Sequence, residues 1–278
     1  MASAPAAASA RARTVAGSAK AVLRRAGVSR RNAAALRMCC ERNIRSFSRP
    51  TGGDRPRILC YHSIGTPAWG VNDVSPARFR RHIELALAMG YEFVPANDIA
   101  SGQAAGRKLA ITFDDGLRSV AEHAAPILRD FGVPWTLFVV TGLADGRHGF
   151  GDVMLSWREI EQLAAAGAEI ASHSVSHPNF GRLPAGEAEA EIAGSREALR
   201  SRIGIVPDTF AIPFGQSRDW TAGAHAAALR AGYRYVFAQS EERRFPGTVA
   251  RTFVTHFDSD RVFRAALHGA FDRWEEWV

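Results

Sequence analysis

Two short segments of this 278-residue chain carry groups able to do chemistry together. An apolar run, Leu109 to Phe113, ends abruptly in Asp114-Asp115-Gly116. Further along, a second apolar run, Ala168 to Ala171, leads into His173-Ser174-Val175-Ser176-His177. Two carboxylates and two imidazoles at strand ends meet the needs of a divalent-metal hydrolase, with one Asp and two His as ligands and one Asp left as base. Neighbouring side chains on a strand point to opposite faces. Both Asp converge on one site only if the chain turns at the strand end, which Gly116 permits. The competing reading is that one Asp caps a helix expected over Leu117 to Phe131. For the histidines, Ser174 to Ser176 and the terminating Pro178 argue for a turn after a strand rather than for a helix surface.

Other segments fall into register with these. Tyr61-His62-Ser63-Ile64 closes the first strand of the body and puts an imidazole at its end. Phe210-Ala211-Ile212-Pro213-Phe214-Gly215 closes another, and its turn can present a backbone N–H to a developing oxyanion.

Taken in order, Asp-Asp-Gly, His-Ser-x-x-His and Pro-Phe-Gly resemble the polysaccharide deacetylases (carbohydrate esterase family 4, the NodB-homology domain) over about residues 56–270. The resemblance implies a hydrolase removing N-acetyl or other short acyl groups from sugars. It assigns Asp114 as general base and Asp115, His173 and His177 as ligands of a divalent ion, zinc first, with cobalt, nickel or manganese as alternatives. Tyr61-His62-Ser63-Ile64, followed by Val74-Ser75-Pro76, Phe79 and Gly90-Tyr91, resembles the subgroup with a permuted barrel. There the acid histidine comes first in the chain, which implies His62 as the group that protonates the leaving amine. Pro213, Phe214 and Gly215 would border the oxyanion.

Three departures stand out. Where the family pattern has an arginine before its motif proline, this chain has Ala211, and Arg251 is the assigned substitute. Asp219-Trp220 resembles the fourth motif but follows the third too closely. His256 and His268 compete with His62 for the acid's role.

The elements that must position these residues read as repeated β-α units. Strands are expected at 58–61, 92–94, 109–113, 135–140, 168–172, 209–212, 234–238 and 251–255. Helices start at Ser75-Pro76, at the Ser156–Glu159 capping box, at Pro184 (running to about Ile203) and at Asp258 or Ser259. The fold class is therefore α/β: a distorted or incomplete (β/α) barrel of about seven parallel strands, which gathers strand ends from several segments at one face. An open doubly wound sheet is the alternative.

The formal charge of +7 belongs to one end. Residues 1–57 hold twelve Arg and one Lys against Glu41 and Asp54, a net of 13 − 2 = +11, which leaves 22 − 26 = −4 for the rest. Residues 1–55 are expected to be a basic, disordered tail, and 56–278 a single catalytic domain. Stretches such as Ala21-Val22-Leu23-Arg24-Arg25 would suit peripheral contact with an anionic membrane. Nucleic acid is disfavoured because aromatic interleaving is absent. The composition shows neither a signal-type apolar core nor a membrane span. Three cysteines, Cys39, Cys40 and Cys60, give no disulfide framework. Together these suggest a cytoplasmic protein, at most peripheral at the inner membrane face. The substrate expected is a carbohydrate bearing N-acyl amino sugars. Two alternatives are a cytoplasmic deacylase or deformylase of a lipid-linked amino sugar and a catalytically weak carbohydrate-binding barrel.

Overall fold

The computed structural model describes residues 30–48, 54–146, 150–239 and 247–274. Its strands are β1 (Arg57–Tyr61), β2 (Ser63–Ile64), β3 (Asp73–Val74), β4 (Glu92–Phe93), β5 (Lys108–Phe113), β6 (Trp135–Val139), β7 (Glu169–Ser172), β8 (Thr209–Ala211), β9 (Tyr235–Ala238), β10 (Thr248–Ala250) and β11 (Thr252–Phe253). The main sheet runs in the order β10-β9-β8-β7-β6-β5-β1-β11, with β4 added to the start of β5 and β2 pairing separately with β3. Every ladder is parallel, and the register sets Leu59 against Ile111 and Tyr61 against Phe113. Parallel strands are covered on both faces, so they read as continuous apolar runs; β1 and β6 are buried at every position.

β10 and β11 are halves of one stretch interrupted at Arg251. The first half pairs with β9 and the second with β1, so the sheet comes nearly full circle at seven strand positions. The expected strand 251–255 is thus corrected: pairing starts at Thr248 and breaks at Arg251, where the chain crosses from one edge to the other. Inside the barrel lie Ile58, Ala110, Phe138, Ala171, Ala211 and Phe237. Small and large residues on neighbouring strands fill this narrow space.

Helices α1 (Arg30–Arg45), α2 (Pro76–Ala88), α3 (Ala96–Ala100), α4 (Ala125–Phe131), α5 (Trp157–Ala165), α6 (Ala185–Ile203), α7 (Ala222–Arg230) and α8 (Asp260–Leu267) surround it. Ser75 caps α2 ahead of Pro76, the Ser156/Glu159 capping box opens α5, and Ser259 caps α8. Gly204, at φ 70°, ends α6 in the left-handed conformation that glycine tolerates. The helix expected over Leu117 to Phe131 is present from Arg118, but it is wound as a π-turn over Val120–Ala124 before continuing as α4. Pro126 has no N–H with which to continue a regular ladder.

The disordered tail expected over 1–55 is corrected for residues 30–45. They form α1, whose Met38 packs with Phe253, Val262, Ala266, Phe271 and Trp274. Arg42 is wholly buried and donates to both carboxylate oxygens of Asp258 (2.6 and 2.5 Å) and to the Phe253 carbonyl (3.1 Å). Its guanidinium also lies 4.4 Å from the Phe271 ring centroid. An Ala- and Arg-rich composition reads as disorder, yet the same residues are strong helix formers. The packing of Met38 and the buried Arg42–Asp258 pair together hold the helix against the barrel. The Ala21–Arg25 patch lies outside the described residues. Among the described residues no helix is long and apolar enough to cross a membrane.

Candidate active site

The loops after β1, β5, β7 and β8 and the break at Arg251 meet at one end of the barrel. They line a cleft of about 400 Å³ bordered by His62, Asp114, Asp115, His173, His177, Phe214, Gly215 and Arg251. Pro213 is buried just before them and does not line it. His256 is exposed and bonds the Gly70 carbonyl, and His268 borders a different cavity, so neither reaches the cleft. Asp219 is buried away from it, accepting from Asn179 Nδ2 at 2.6 Å, while Trp220 packs on Phe180 and Phe210.

Among the described residues four non-glycine residues take positive φ: Asp115 (75°), Ser174 (71°), His177 (60°) and Phe214 (65°). All four belong to the turns that build this site. Such conformations persist only where the surroundings over-determine them. At Asp115 the turn lets two adjacent aspartates share one cleft. In the histidine turn, the His177 N–H donates to Ser174 Oγ at 2.9 Å. Glu191 of α6 grips the turn from outside. One of its carboxylate oxygens accepts the N–H groups of Val175 (2.9 Å) and Ser176 (2.8 Å), and the other accepts the Ser176 hydroxyl (2.7 Å). On the other side, Gly142 N–H donates to the Val175 carbonyl at 2.8 Å. A Cβ at Gly142 would meet that carbonyl oxygen at 2.6 Å, so the approach requires glycine. Sequence reading missed Glu191 and Gly142, because neither sits in a motif and each acts on a segment distant in the chain.

Ligand-type atoms of Asp115, His173 and His177 all lie within 4.8 Å of one another. His173 Nδ1–H donates to the Ala211 carbonyl at 2.8 Å, which leaves Nε2 as the free lone pair. That nitrogen is 3.7 Å from Asp115 Oδ1, and His177 Nε2 is 3.5 Å from the same oxygen. Burial pushes His173 down to about 3 and lowers His177 as well, so both imidazoles are neutral donors. Burial, reinforced by Asp114, pushes Asp115 up to about 6 against the pull of His62 and Arg251. Two neutral nitrogens facing a carboxylate that lacks sufficient positive charge fit a zinc-class cation.

Asp114 has the opposite environment. Its carboxylate receives Arg251 Nη1 at 2.6 Å and Nη2 at 2.7 Å, a bidentate pair buried on both sides. Burial alone would raise Asp114, but Arg251 and then His173 override it and hold the carboxyl below the usual carboxylate range. Arg251 also donates to Thr112 Oγ1 at 3.2 Å and lies 5.1 Å from the Phe138 ring. It thus reaches through the barrel interior, where Ala211 leaves room. Cys60 Sγ–H donates to Asp114 Oδ2 at 3.4 Å. His62 flanks Asp114 on this side, with a nitrogen within 4.8 Å of both Cys60 Sγ and an Asp114 oxygen. Its ring stands edge-on to Phe253, and Nδ1 is buried without a hydrogen-bond partner among the described residues. Two adjacent carboxyls pushed in opposite directions are the electrostatic mark of divided roles.

A nearly closed parallel barrel with a carboxylate–dihistidine set beside a separately held carboxylate defines a hydrolase-type centre. The polysaccharide deacetylase family profile matches residues 101–236, just under half of the chain, which is similar to that family over this part of the barrel. The chain is 24% identical over 182 residues to a putative polysaccharide deacetylase, YxkH, of Bacillus subtilis, covering 64% of this chain and 62% of that protein. It is also 24% identical over 189 residues to a poly-β-1,6-N-acetyl-D-glucosamine N-deacetylase of Staphylococcus aureus, covering 63% of this chain and 64% of that protein. The chain thus spans a little under two thirds of the length of either relative. Among solved structures, IcaB from Ammonifex degensii superposes with a TM-score of 0.67 at 26% identity, over 78% of this chain and 97% of that one.

Proposed function

We propose that this protein removes N-acetyl groups from amino sugars in a polysaccharide or glycoconjugate. The observation that carries the reading is one cleft holding two differently tuned groups: Asp115, His173 and His177 around one point, and Asp114 fixed beside them by Arg251. The Staphylococcus relative, by its name an N-deacetylase of poly-β-1,6-N-acetyl-D-glucosamine, supports the substrate class.

Asp115, His173 and His177 would hold a divalent ion, zinc first, which when bound supplies Lewis acidity and a water of lowered pKa. Asp114, kept ionised by Arg251, takes the proton of the attacking water. His62, beside Asp114 in the cleft, delivers a proton to the departing nitrogen. The Phe214 backbone, turned at φ 65° in the cleft wall, offers its N–H toward the oxyanion. β1 lies beside β11, so His62, early in the chain, stands next to the last strand of the barrel. That adjacency supports the permuted subgroup.

The test is acetate release from N-acetylglucosamine oligomers by the purified full chain, with and without chelation. Activity lost on chelation and restored by zinc is expected. Asp114→Asn should keep about one bound metal while losing about 10²–10⁴ in turnover, and His173→Ala should lose the metal. Full activity after exhaustive chelation, or stoichiometric metal in His173→Ala, would overturn the assignment.

A further inference from the structure

We propose that the outer face formed by α1 and α8 is a docking surface for an anionic phospholipid membrane. Among the described residues, the three most exposed large apolar side chains are Leu36 (64%), Ile44 (71%) and Phe47 (72%), all on α1 or the turn that ends it. Elsewhere among the described residues such side chains are less exposed and, apart from Phe150 and Val153, occur singly; scattered ones need no explanation. Here they share one short segment whose inner side is committed to the barrel through Met38 and Arg42.

Basic side chains border these apolar groups. Arg45 is exposed in the last turn of α1. Arg261, Arg264 and His268 form an exposed row on α8 and the residue that ends it, and with Ser46 and Ser48 they line a shallow cavity of about 430 Å³. Arg264 makes no ion pair among the described residues. Arg261 stacks on Phe47 with its guanidinium carbon 4.0 Å from the ring centroid, and donates to Asn43 Oδ1 at 2.8 Å. The nearby acids are already engaged: Glu41 with Arg37, Asp258 with Arg42, Asp260 with Arg81. The 29 residues leading into α1 add four arginines and one lysine with no acidic residue.

Apolar side chains that can enter the acyl boundary, ringed by unpaired cations, match an anionic bilayer surface. A nucleic-acid groove would instead need stacking aromatics, and this face has only Phe47. None of these residues lines the catalytic cleft.

The experiment is co-sedimentation of the full chain with phosphatidylcholine vesicles containing or lacking 30% phosphatidylglycerol. Binding is expected only with the anionic lipid and should weaken in 0.5 M NaCl. Arg261→Gln with Arg264→Gln should bind about ten- to thirtyfold more weakly. Leu36→Ser with Ile44→Ser and Phe47→Ser should lose a similar factor. Unchanged acetate release and an unchanged melting temperature in both variants would show that the barrel is intact. The proposal is overturned if the chain stays in the supernatant with anionic vesicles. It is equally overturned if deleting residues 1–29 abolishes binding while both patch variants bind normally. A dimer seen by light scattering that the serine variant dissolves, without vesicle binding, would assign the face to self-association instead.

Discussion

Arg251 and Asp114, 137 residues apart, form a buried bidentate ion pair at the centre of the site. The guanidinium stands where the barrel's last strand breaks. Breaking a buried pair by removing one partner costs about 3–5 kcal/mol, because the remaining charge is stranded. Arg251→Ala is therefore expected to lower stability and turnover together. The diagnostic readout is the pH–rate profile. Arg251 lowers the pKa of Asp114, so its loss should move the acid limb to higher pH, with Arg251→Lys in between. An unmoved acid limb in a folded Arg251→Ala protein would separate Arg251 from the base.

Glu191 never touches the cleft but accepts three hydrogen bonds from the histidine turn. Outer groups that orient ligands are worth about 10–100-fold in metal affinity. Glu191→Ala should weaken zinc binding by that factor with little change in melting temperature, and Glu191→Gln should recover part of it. Titration against a competing chelator measures this directly, and wild-type affinity in Glu191→Ala would remove the positioning role.

His62 borders the cleft, whereas His268 sits on the opposite side of α8 from the barrel wall and lines another cavity. His62→Ala should reduce kcat about 10²-fold or more on amide substrates. His268→Ala should leave acetate release unchanged. Equal losses would contradict the geometry.

His82 offers a stability test at acid pH. It is buried and stacked on Phe263 (4.0 Å between centroids), with Nδ1 facing the Tyr61 hydroxyl and Nε2 facing the Asp258 carbonyl, each at 3.1 Å. Burial pushes it down to about 4 from its ordinary 6.5, only partly opposed by Asp258. The native state therefore binds this proton less readily than the unfolded chain does. The contribution is intact above about pH 6.5 and is lost as pH falls toward 4, on the order of 3 kcal/mol in all. Urea midpoints for wild type should drop across that window, and His82→Gln should flatten the slope there. An identical slope in the variant would assign the acid sensitivity elsewhere.

The local sequence carries the turns and the strand ends. Asp-Asp-Gly, His-Ser-x-x-His and Pro-Phe-Gly are contiguous, and each specifies a sharp bend whose backbone demands are met within a few residues. Helix starts at Ser75, Ser156 and Ser259 were legible for the same reason, since a cap acts three residues away. Apolar runs alternating with helical patterns gave the parallel α/β architecture. Composition misled at α1, whose order rests on distant contacts: Met38 in an apolar cluster with α8, and Arg42 with Asp258, 216 residues away. Only the tertiary structure decided which arginine reaches Asp114, which glutamate braces the histidine turn and which histidines face the cleft. The placement of Arg251 and of His62 depends on how β10 and β11 bring the barrel round, and tertiary contacts of these kinds leave no periodicity in the chain.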